Sequence, residues 1–296
     1  MRQGDPISPY LFLLAAEGLS CLLKAQVGGI QGLSVAESAP IVNHFLYVDD
    51  NLLFFEANSE SAMRVRDILR RYCDASGQCV NTEKSSIYFS KGVPDSMREE
   101  IKNSLDVHTE SLSEKYIGLP TDVGRKKEGS FRYLKDRIWK HIQGWMEKCL
   151  SVGGKEVLIK SVAQSLPTSI MGVFKLPFLV CDDLTRMVRN FYWGSKDGRR
   201  KVHWKSWDYL LQPKCKGGLG FRDYRMFNQA LLARQAWRLI ERPESICARL
   251  LKARYYPDGQ FEDTVFSGNA SSSWQAISYG LELLKKGLVW RVGNGA

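Results

Sequence analysis

Residues 43–55 read Asn43-His44-Phe45-Leu46-Tyr47-Val48-Asp49-Asp50-Asn51-Leu52-Leu53-Phe54-Phe55, an apolar run that two adjacent carboxylates interrupt. The pattern predicts a short hairpin, with one strand over 45–48, a tight turn, and a returning strand over 52–55. Asp and Asn suit such a turn because they tolerate its backbone conformations. The two acids are therefore expected together at the tip of the hairpin.

Asp49 and Asp50 carry like charges that repel each other at this spacing. A divalent cation bound through carboxylate oxygens would remove that repulsion. The pair therefore predicts a magnesium site. The alternative is an ordinary acidic turn in contact with solvent, which the spacing alone does not exclude.

The composition is that of a globular chain of 296 residues, 44% hydrophobic and 25% charged, long enough for one large or two modest domains. Seven cysteines are scattered without a Cys-x-x-Cys pair, which argues against a disulfide framework and a structural zinc site. The sequence shows neither an apolar run of transmembrane length nor a signal peptide. We therefore expect an intracellular protein, nuclear or cytoplasmic, without a membrane partner.

The charge is divided unequally along the chain. Residues 1–120 carry 11 Lys and Arg against 16 Asp and Glu, and residues 121–296 carry 31 against 16, so the halves have net charges of −5 and +15. All eight tryptophans follow residue 138. Cations interleaved with aromatic rings are typical of nucleic-acid binding, and the basic runs are Arg125-Lys126-Lys127 and Arg199-Arg200. The alternative is that most tryptophans anchor a core and that the cations form a solvated face.

The first part of the chain predicts helices alternating with strands. A helix over 10–24, almost wholly apolar, is expected to be buried behind the hairpin. A second helix over 63–72 should end at Gly77, before a strand over 86–89. This order is typical of an α+β fold.

Beyond residue 130 the pattern becomes helical. Apolar residues at three- and four-residue steps predict a helix over 131–149, which Gly153-Gly154 should break. Further helices are expected over 155–166, from a cap at Asp182, and over 223–241.

The hairpin sequence Tyr47-Val48-Asp49-Asp50, preceded by Arg2-Gln3-Gly4-Asp5-Pro6-Ile7-Ser8-Pro9-Tyr10-Leu11-Phe12, resembles the reverse transcriptases of LINE-type, non-LTR retrotransposons, especially those of plants. The resemblance extends along most of the chain. Its later landmarks are Tyr116-Ile117-Gly118-Leu119-Pro120, Gly154 with Leu158-Ile159-Lys160-Ser161-Val162, Pro213-Lys214 with Gly217-Gly218-Leu219-Gly220-Phe221-Arg222-Asp223, the run 227–239 from Phe227 to Leu239, and Trp290-Arg291-Val292-Gly293-Asn294-Gly295.

The resemblance implies an α+β fold with a division into three parts. Residues 1–120 would be part of a polymerase palm, an antiparallel sheet backed by helices. Residues 121–180 would be a thumb-like helical region, and residues 181–296 a basic helical connecting region.

The activity implied is RNA-directed DNA polymerisation by a two-metal mechanism, with an RNA template, a DNA primer, deoxynucleoside triphosphates and two Mg²⁺ ions. Asp49 and Asp50 would be metal ligands at the catalytic site, and Lys84 would assist departure of pyrophosphate. The resemblance also implies contacts with the nucleotide and template at Gln3, Gly4 and Tyr47, and a grip on the primer at Tyr116, Gly118 and Leu119.

Local structure offers an alternative reading for each of these segments. Gln3-Gly4-Asp5-Pro6 and 116–120 also suit plain turns, and a lone Lys84 also suits a solvated surface.

In this family a third catalytic aspartate precedes the segment that begins here at Arg2. We therefore expect the chain to be truncated at both ends and inactive by itself. The alternative is a non-catalytic nucleic-acid-binding remnant. A maturase-like RNA chaperone is disfavoured by residues 217–221.

Overall fold

The computed structural model describes residues 5–25, 32–112, 115–121, 129, 131–146, 148, 150–196, 199–200, 202–264 and 270–289. The chain divides into two units, Met1–Thr121 with Arg249–Pro257, and Asp122–Ala248 with Asp258–Ala296. None of the described helices combines the length and the apolar character needed to span a membrane.

The first unit combines helices with two short antiparallel hairpins. Its elements are α1 (Ser8–Ala25), β1 (His44–Tyr47), β2 (Asp50–Leu53), α2 (Ser59–Ser76), α3 (Asp95–Leu105), β3 (Lys115–Tyr116) and β4 (Leu119–Pro120). The hairpins pair β1 with β2 and β3 with β4. The helix over 10–24 and the α+β class are thus confirmed.

The core of the first unit lies between α1 and α2. Leu19 and Leu23 of α1 pack with Val65 and Ile68 of α2, and one face of the β1–β2 hairpin adds to this cluster through Leu46 and other apolar side chains. The predicted second helix is confirmed and is longer than expected. Its first turn is capped by the side chain of Asn58, and Gly77 ends it at φ 71°.

His44 joins α1 to β1. The Asn43 Nδ2 group donates to Leu23 O, which leaves Asn43 Oδ1 as the acceptor facing the ring. The Nδ1–H group of His44 donates to this oxygen at 2.7 Å. Its Nε2 then accepts from the hydroxyl of Ser20 at 3.1 Å. Partial burial, and next the positive charge of Lys24, lower the pKa of His44, while Glu17 opposes this shift. Burial and Lys24 therefore favour the neutral imidazole, and the hydrogen bonds fix the hairpin against α1.

The second unit is mainly helical. Its elements are α4 (Arg132–Met146), α5 (Val152–Leu158), a π-helical turn (Ile159–Ala163), α6 (Thr168–Met171), α7 (Phe178–Trp193), β5 (Ser195–Lys196), β6 (Arg199–Arg200), α8 (Trp207–Leu211), α9 (Tyr224–Glu241) and α11 (Ser272–Gly287). Helix α10 (Ile246–Tyr255) crosses the boundary between Ala248 and Arg249. Helices α4 and α9 confirm the predictions over 131–149 and 223–241.

Asn228 is a buried polar residue in the core of the second unit. It lies on α9 with 2% of its surface exposed. Its Oδ1 accepts from Leu176 N at 2.9 Å, and its Nδ2 donates to Met171 O at 2.7 Å and Phe174 O at 3.0 Å. Asn228 thus closes the loop between α6 and α7 by pairing backbone groups that burial would otherwise leave unsatisfied.

Two expectations for the first unit are wrong. Helix α1 is not buried along its length, because only its Leu19 and Leu23 face packs on α2, while Leu13 and Leu14 are 63% and 70% exposed. The strand over 86–89 is not formed, because Ile87 makes only an isolated bridge to Glu110.

Two expectations for the second unit are also wrong. Gly153 and Gly154 do not break a helix, because Ser151 caps α5 by accepting from Gly154 N. Asp182 is no cap, because α7 begins four residues earlier, at Phe178 after Pro177. Its carboxylate pairs with Arg225 instead.

Candidate active-site hairpin

The β1–β2 hairpin turns through only two residues. Its register pairs His44 with Leu53 and Tyr47 with Asp50, so Val48 and Asp49 alone form the turn. Asp50 is therefore the first residue of β2 and not a turn residue, and the predicted strand bounds were displaced by one or two positions. The shift leaves Asp49 and Asp50 adjacent at the end of the hairpin, as the sequence pattern indicates.

The hairpin exposes its acidic end and keeps its apolar face inward. Asp49 and Asp50 are both exposed, and Tyr47 is 53% exposed. Leu46 and Leu53 pack on the core, whereas Phe45 and Phe54 contact each other edge to face at 5.8 Å. Because directly paired residues share a face of the sheet, Asp50 and Tyr47 lie on the side opposite to the α1–α2 core.

Val48 has a φ of 52°, a conformation that strains a β-branched residue. The strain falls immediately before the two aspartates. The β3–β4 hairpin has a similar feature, since Ile117 and Gly118 form its turn with φ values of 52° and 73°. Glycine is required at the second of these positions, whereas Ile117 is strained like Val48.

The carboxylate of Asp50 influences the ionisation of the Tyr116 phenol. Burial raises the pKa of the Tyr116 phenol above its ordinary value, and the carboxylate of Asp50 raises it further. Tyr116 is half-buried, as is Leu119, the residue paired with it across the hairpin. The structure therefore brings one residue of the predicted primer grip toward one of the predicted metal ligands.

Lys84 is exposed in the turn that precedes Ser85. Its backbone N–H donates to Asn81 Oδ1 at 3.0 Å, and the Ser85 hydroxyl donates to Asn81 O at 2.8 Å. These bonds shape the turn through Asn81. Among the described residues, no hydrogen bond or ion pair joins the Lys84 side chain to Asp49 or Asp50.

Several predicted site residues lie outside the described residues, namely Gln3, Gly4, Arg125, Lys126 and Lys127, together with the landmark at 290–295. Arg199 and Arg200 form β6 and pair with β5 through their backbones. Their roles in binding nucleic acid stay predictions.

The hairpin offers a divalent cation two carboxylates with hard oxygen ligands. Within the described ranges, no group of three or more His, Cys, Asp or Glu side chains is placed to hold a metal ion. The oxygen atoms of Asp49 and Asp50 fit magnesium by their chemistry, and the role of these residues as metal ligands stays a prediction.

Sequence reasoning missed the structural role of Lys160. This side chain donates to Glu156 Oε1 at 2.6 Å and to Leu219 O at 2.5 Å, and Lys214 contacts Glu156 at 3.3 Å. The hydrogen bond from Lys160 lowers the pKa of Glu156, burial opposes this shift, and Lys214 adds to it. Two separated landmarks, 158–162 and 213–223, are therefore held together by one ion-pair network.

Comparison with known proteins gives the following similarities. Residues 1–135 match the family described as "Reverse transcriptase (RNA-dependent DNA polymerase)". Over 132 residues the chain is 40% identical to the uncharacterized mitochondrial protein AtMg00310 of Arabidopsis thaliana, an alignment that covers 44% of this chain and 86% of that protein.

Two further proteins of Arabidopsis thaliana are similar over other spans. One, named as a ribonuclease H protein, At1g65750, is 32% identical over 181 residues, which cover 60% of this chain and 29% of that protein. The uncharacterized mitochondrial protein AtMg01250 is 46% identical over 52 residues, covering 17% of this chain and 43% of that protein. The chain thus spans less than half the length of each of these two relatives.

Proposed function

Since the chain belongs to the reverse transcriptase family and is of plant retroelement origin, we propose that it contributes a catalytic hairpin to an RNA-directed DNA polymerase of the LINE type. Members of this family use divalent metals and act on nucleotides along a nucleic-acid template. The proposed finer assignment is an RNA template, a DNA primer and deoxynucleoside triphosphates.

The observation that carries the proposal is the exposed Asp49–Asp50 pair at the end of the β1–β2 hairpin, where Asp50 lies on the side away from the core. A packed fold gains nothing from two adjacent carboxylates there, whereas a metal site requires them. Two bound Mg²⁺ ions would supply charge stabilisation for the reacting phosphate and activation of the primer hydroxyl. Asp49 and Asp50 would hold these ions by their carboxylate oxygens.

We assign the neighbouring residues supporting roles. The phenol of Tyr116 is neutral near pH 7, and its raised pKa beside Asp50 is in keeping with this state, so that Tyr116, Gly118 and Leu119 would present an uncharged surface to a primer end. Tyr47, on the face of Asp50, would contact the incoming nucleotide, together with Gln3 and Gly4. Lys84 would neutralise departing pyrophosphate.

The larger division is also part of the proposal. Residues 1–120 would form part of the palm, residues 121–180 a thumb, and residues 181–296 a basic connecting region that holds nucleic acid. Residues 1–120 have a net charge of −5 and residues 121–296 one of +15. This difference supports catalysis in the first part and nucleic-acid binding in the second.

We further propose that the 296-residue polypeptide does not polymerise DNA by itself. Its described residues bring two carboxylates to the hairpin and do not gather a third acidic or metal-binding side chain around them. Incomplete coordination removes electrostatic stabilisation that is worth orders of magnitude in rate.

A primer-extension assay tests this proposal. The chain is incubated with an RNA template, an annealed DNA primer, deoxynucleoside triphosphates and magnesium, and we expect no extension. Extension that disappears in Asp49→Asn would contradict the claim of inactivity. Extension that persists in Asp49→Asn and Asp50→Asn would contradict the catalytic assignment itself.

The second candidate function is a nucleic-acid-binding remnant without catalysis, favoured by the excess positive charge after residue 120. It predicts salt-dependent binding of nucleic acid without extension. Charge reversal at Lys126, Lys127, Arg199 and Arg200 should then weaken binding and flatten its salt dependence. An unchanged binding isotherm would remove this candidate.

A further inference from the structure

The β1–β2 hairpin depends on the rest of the first unit for its position. Its strands have four residues each and form a two-stranded sheet. A hairpin of this size is only marginally stable in water, so contacts with other elements must hold it in place. Whatever fixes the hairpin on the unit therefore also fixes Asp49 and Asp50 at its end.

The turn of the hairpin is strained and needs support from both strands. Val48 has a φ of 52°, and its side chain is 63% exposed. Because this side chain is mostly in solvent, its own packing does little to offset the strain. A strained residue keeps its conformation only when the surrounding structure over-determines it. The strands that enter and leave the turn must therefore be firmly held.

Apolar packing supplies part of this support. Leu46 of β1 and Leu53 of β2 pack against the buried cluster between α1 and α2. Such packing is non-directional, so it fixes the depth of the hairpin more strictly than its position along α1. Hydrogen bonds weaken steeply when their distance or angle changes. The position of β1 along α1 is thus expected to depend on the hydrogen bonds that join them.

His44, the first residue of β1, makes the central hydrogen bonds of this contact. Its Nε2 accepts from the hydroxyl of Ser20 on α1 at 3.1 Å, and its Nδ1–H donates to Asn43 Oδ1 at 2.7 Å. The Nδ2 group of Asn43 donates in turn to Leu23 O of α1 at 3.3 Å. The start of β1 is therefore tied to α1 at two points, Ser20 and Leu23.

The burial of Ser20 shows that this contact is specific. Ser20 is 7% exposed, beside Leu19 on the packed face of α1. A hydroxyl in such a place is unfavourable unless it is hydrogen-bonded, and the ring of His44 supplies the acceptor. A serine there is explained by the histidine that it contacts.

We propose that His44 is a positioning residue for the metal site. Through Ser20 and Asn43 it holds β1 at the place on α1 that maintains the strained turn, and with it the arrangement of the two carboxylates that binds a divalent ion. His44 does not contact the ion and acts through the strand and the turn. This inference rests on the proposed role of Asp49 and Asp50 as metal ligands.

Two NMR measurements on the isotopically labelled full chain test this role. The amide chemical shifts of Val48 and Asp49 report the conformation of the turn without metal, and broadening by Mn²⁺ reports the affinity of the hairpin for a divalent ion. In Ser20→Ala we expect both amide resonances to move and the dissociation constant for Mn²⁺ to rise about 3- to 10-fold.

Substitutions of His44 separate the hydrogen bonds from the volume of the ring. His44→Leu removes both hydrogen bonds and should weaken Mn²⁺ binding at least as much as Ser20→Ala does. Because Ser20 acts through His44, the double variant should bind no more weakly than His44→Leu. His44→Gln keeps an oxygen that can accept from Ser20, so it should bind Mn²⁺ within about twofold of the unsubstituted chain.

Two residues of α3 in the same unit provide controls. Ser104→Ala is matched to Ser20→Ala, because the buried hydroxyl of Ser104 has no hydrogen-bond partner among the described residues. Ile101→Val controls for a loss of stability, since Ile101 is fully buried and its truncation destabilises the unit. Neither change should move the turn amides or alter the Mn²⁺ affinity by more than about twofold. Urea unfolding measures the stability of each variant.

Unchanged turn amides and Mn²⁺ affinity in Ser20→Ala and His44→Leu would overturn the positioning role and leave the proposed function standing. Equal losses of affinity in Ile101→Val would also overturn it, since they would reflect general destabilisation. If Mn²⁺ does not broaden the hairpin of the unsubstituted chain, the proposed function fails, and this inference fails with it.

Discussion

Tyr47 and Asp50 lie directly opposite each other across the β1–β2 hairpin, and this pairing leaves only Val48 and Asp49 to turn the chain. The two-residue turn places Val48 at a φ of 52°. It also puts Asp50 on the same face of the sheet as the exposed Tyr47. The geometry that displays the carboxylates is thus obtained at the cost of local strain.

Replacing Val48 with glycine should relieve this strain. Glycine adopts a positive φ without a steric penalty, and the Val48 side chain is 63% exposed, so little packing is lost. We expect Val48→Gly to raise the free energy of unfolding by about 0.5–1 kcal/mol, as measured by urea denaturation.

Val80→Gly is the matched control for this substitution. Val80 is 44% exposed and does not have a positive φ. Its replacement should lower stability through the added flexibility of the unfolded chain. A loss of stability in Val48→Gly similar to that in Val80→Gly would contradict the claim of strain.

Acidification should weaken the first unit through His44. Its pKa is lowered in the folded chain, so the unfolded chain binds a proton more readily below about pH 6.5. The stabilisation is present above that pH and is lost as the pH falls through the lowered value. We expect the urea midpoint to fall between about pH 7 and pH 5.5, and His44→Gln to reduce this fall.

His108→Gln should keep the pH dependence of the unsubstituted chain. The His108 side chain is 68% exposed and 3.5 Å from Asp106, outside the Ser20–His44 network. If His44→Gln and the unsubstituted chain show the same dependence on pH, the surroundings of His44 do not favour the neutral ring.

Two glycines of α11 should respond to alanine in opposite directions. A Cβ at Gly280 would lie 2.5 Å from Ala233 N of α9, whereas a Cβ at Gly287 would meet no atom within 4 Å. The backbone atoms of α9 cannot move aside as the end of a flexible side chain can. Gly280→Ala should therefore lower the free energy of unfolding by about 3 kcal/mol. Gly287→Ala should raise it by up to about 0.5 kcal/mol.

Thermal or urea unfolding of both variants checks the close approach of α9 and α11. Equal stabilities for Gly280→Ala and Gly287→Ala would show that these helices do not meet at Gly280.

The sequence allowed the local elements with strong signals to be predicted. The apolar run interrupted by Asp49 and Asp50 predicted the hairpin, and the stop signal at Gly77 and the predicted helix start near Asp223 correspond to helix ends that the structure contains. The periodicity of apolar residues could not show that α1 is packed against other elements on one face only. An apolar helix has the same sequence pattern whether or not a neighbouring element covers it.

The remaining features depend on contacts between distant residues. The three hydrogen bonds of Asn228 and the approach of Tyr116 to Asp50 join segments that no local pattern connects. Trp204 is one of eight tryptophans, and no local pattern distinguishes it, at 81% exposure, from Trp274, which is 1% exposed. Asn228, which shares a helix face with Tyr224 and Leu232, was the signal that could have been noticed, since buried polar groups require partners.

The central claim is that Asp49 and Asp50 bind a divalent metal. Paramagnetic broadening by Mn²⁺ tests it, since this ion takes similar oxygen ligands to Mg²⁺. In spectra of the isotopically labelled chain, Mn²⁺ should broaden the amide resonances of Tyr47 to Asn51 first, with a dissociation constant on the order of millimolar.

Asp49→Asn with Asp50→Asn should abolish this broadening, while Asp74→Asn, at another exposed acid, should preserve it. Broadening that is absent from the hairpin of the unsubstituted chain, or that persists in the double variant, would contradict the assignment of these two aspartates as metal ligands.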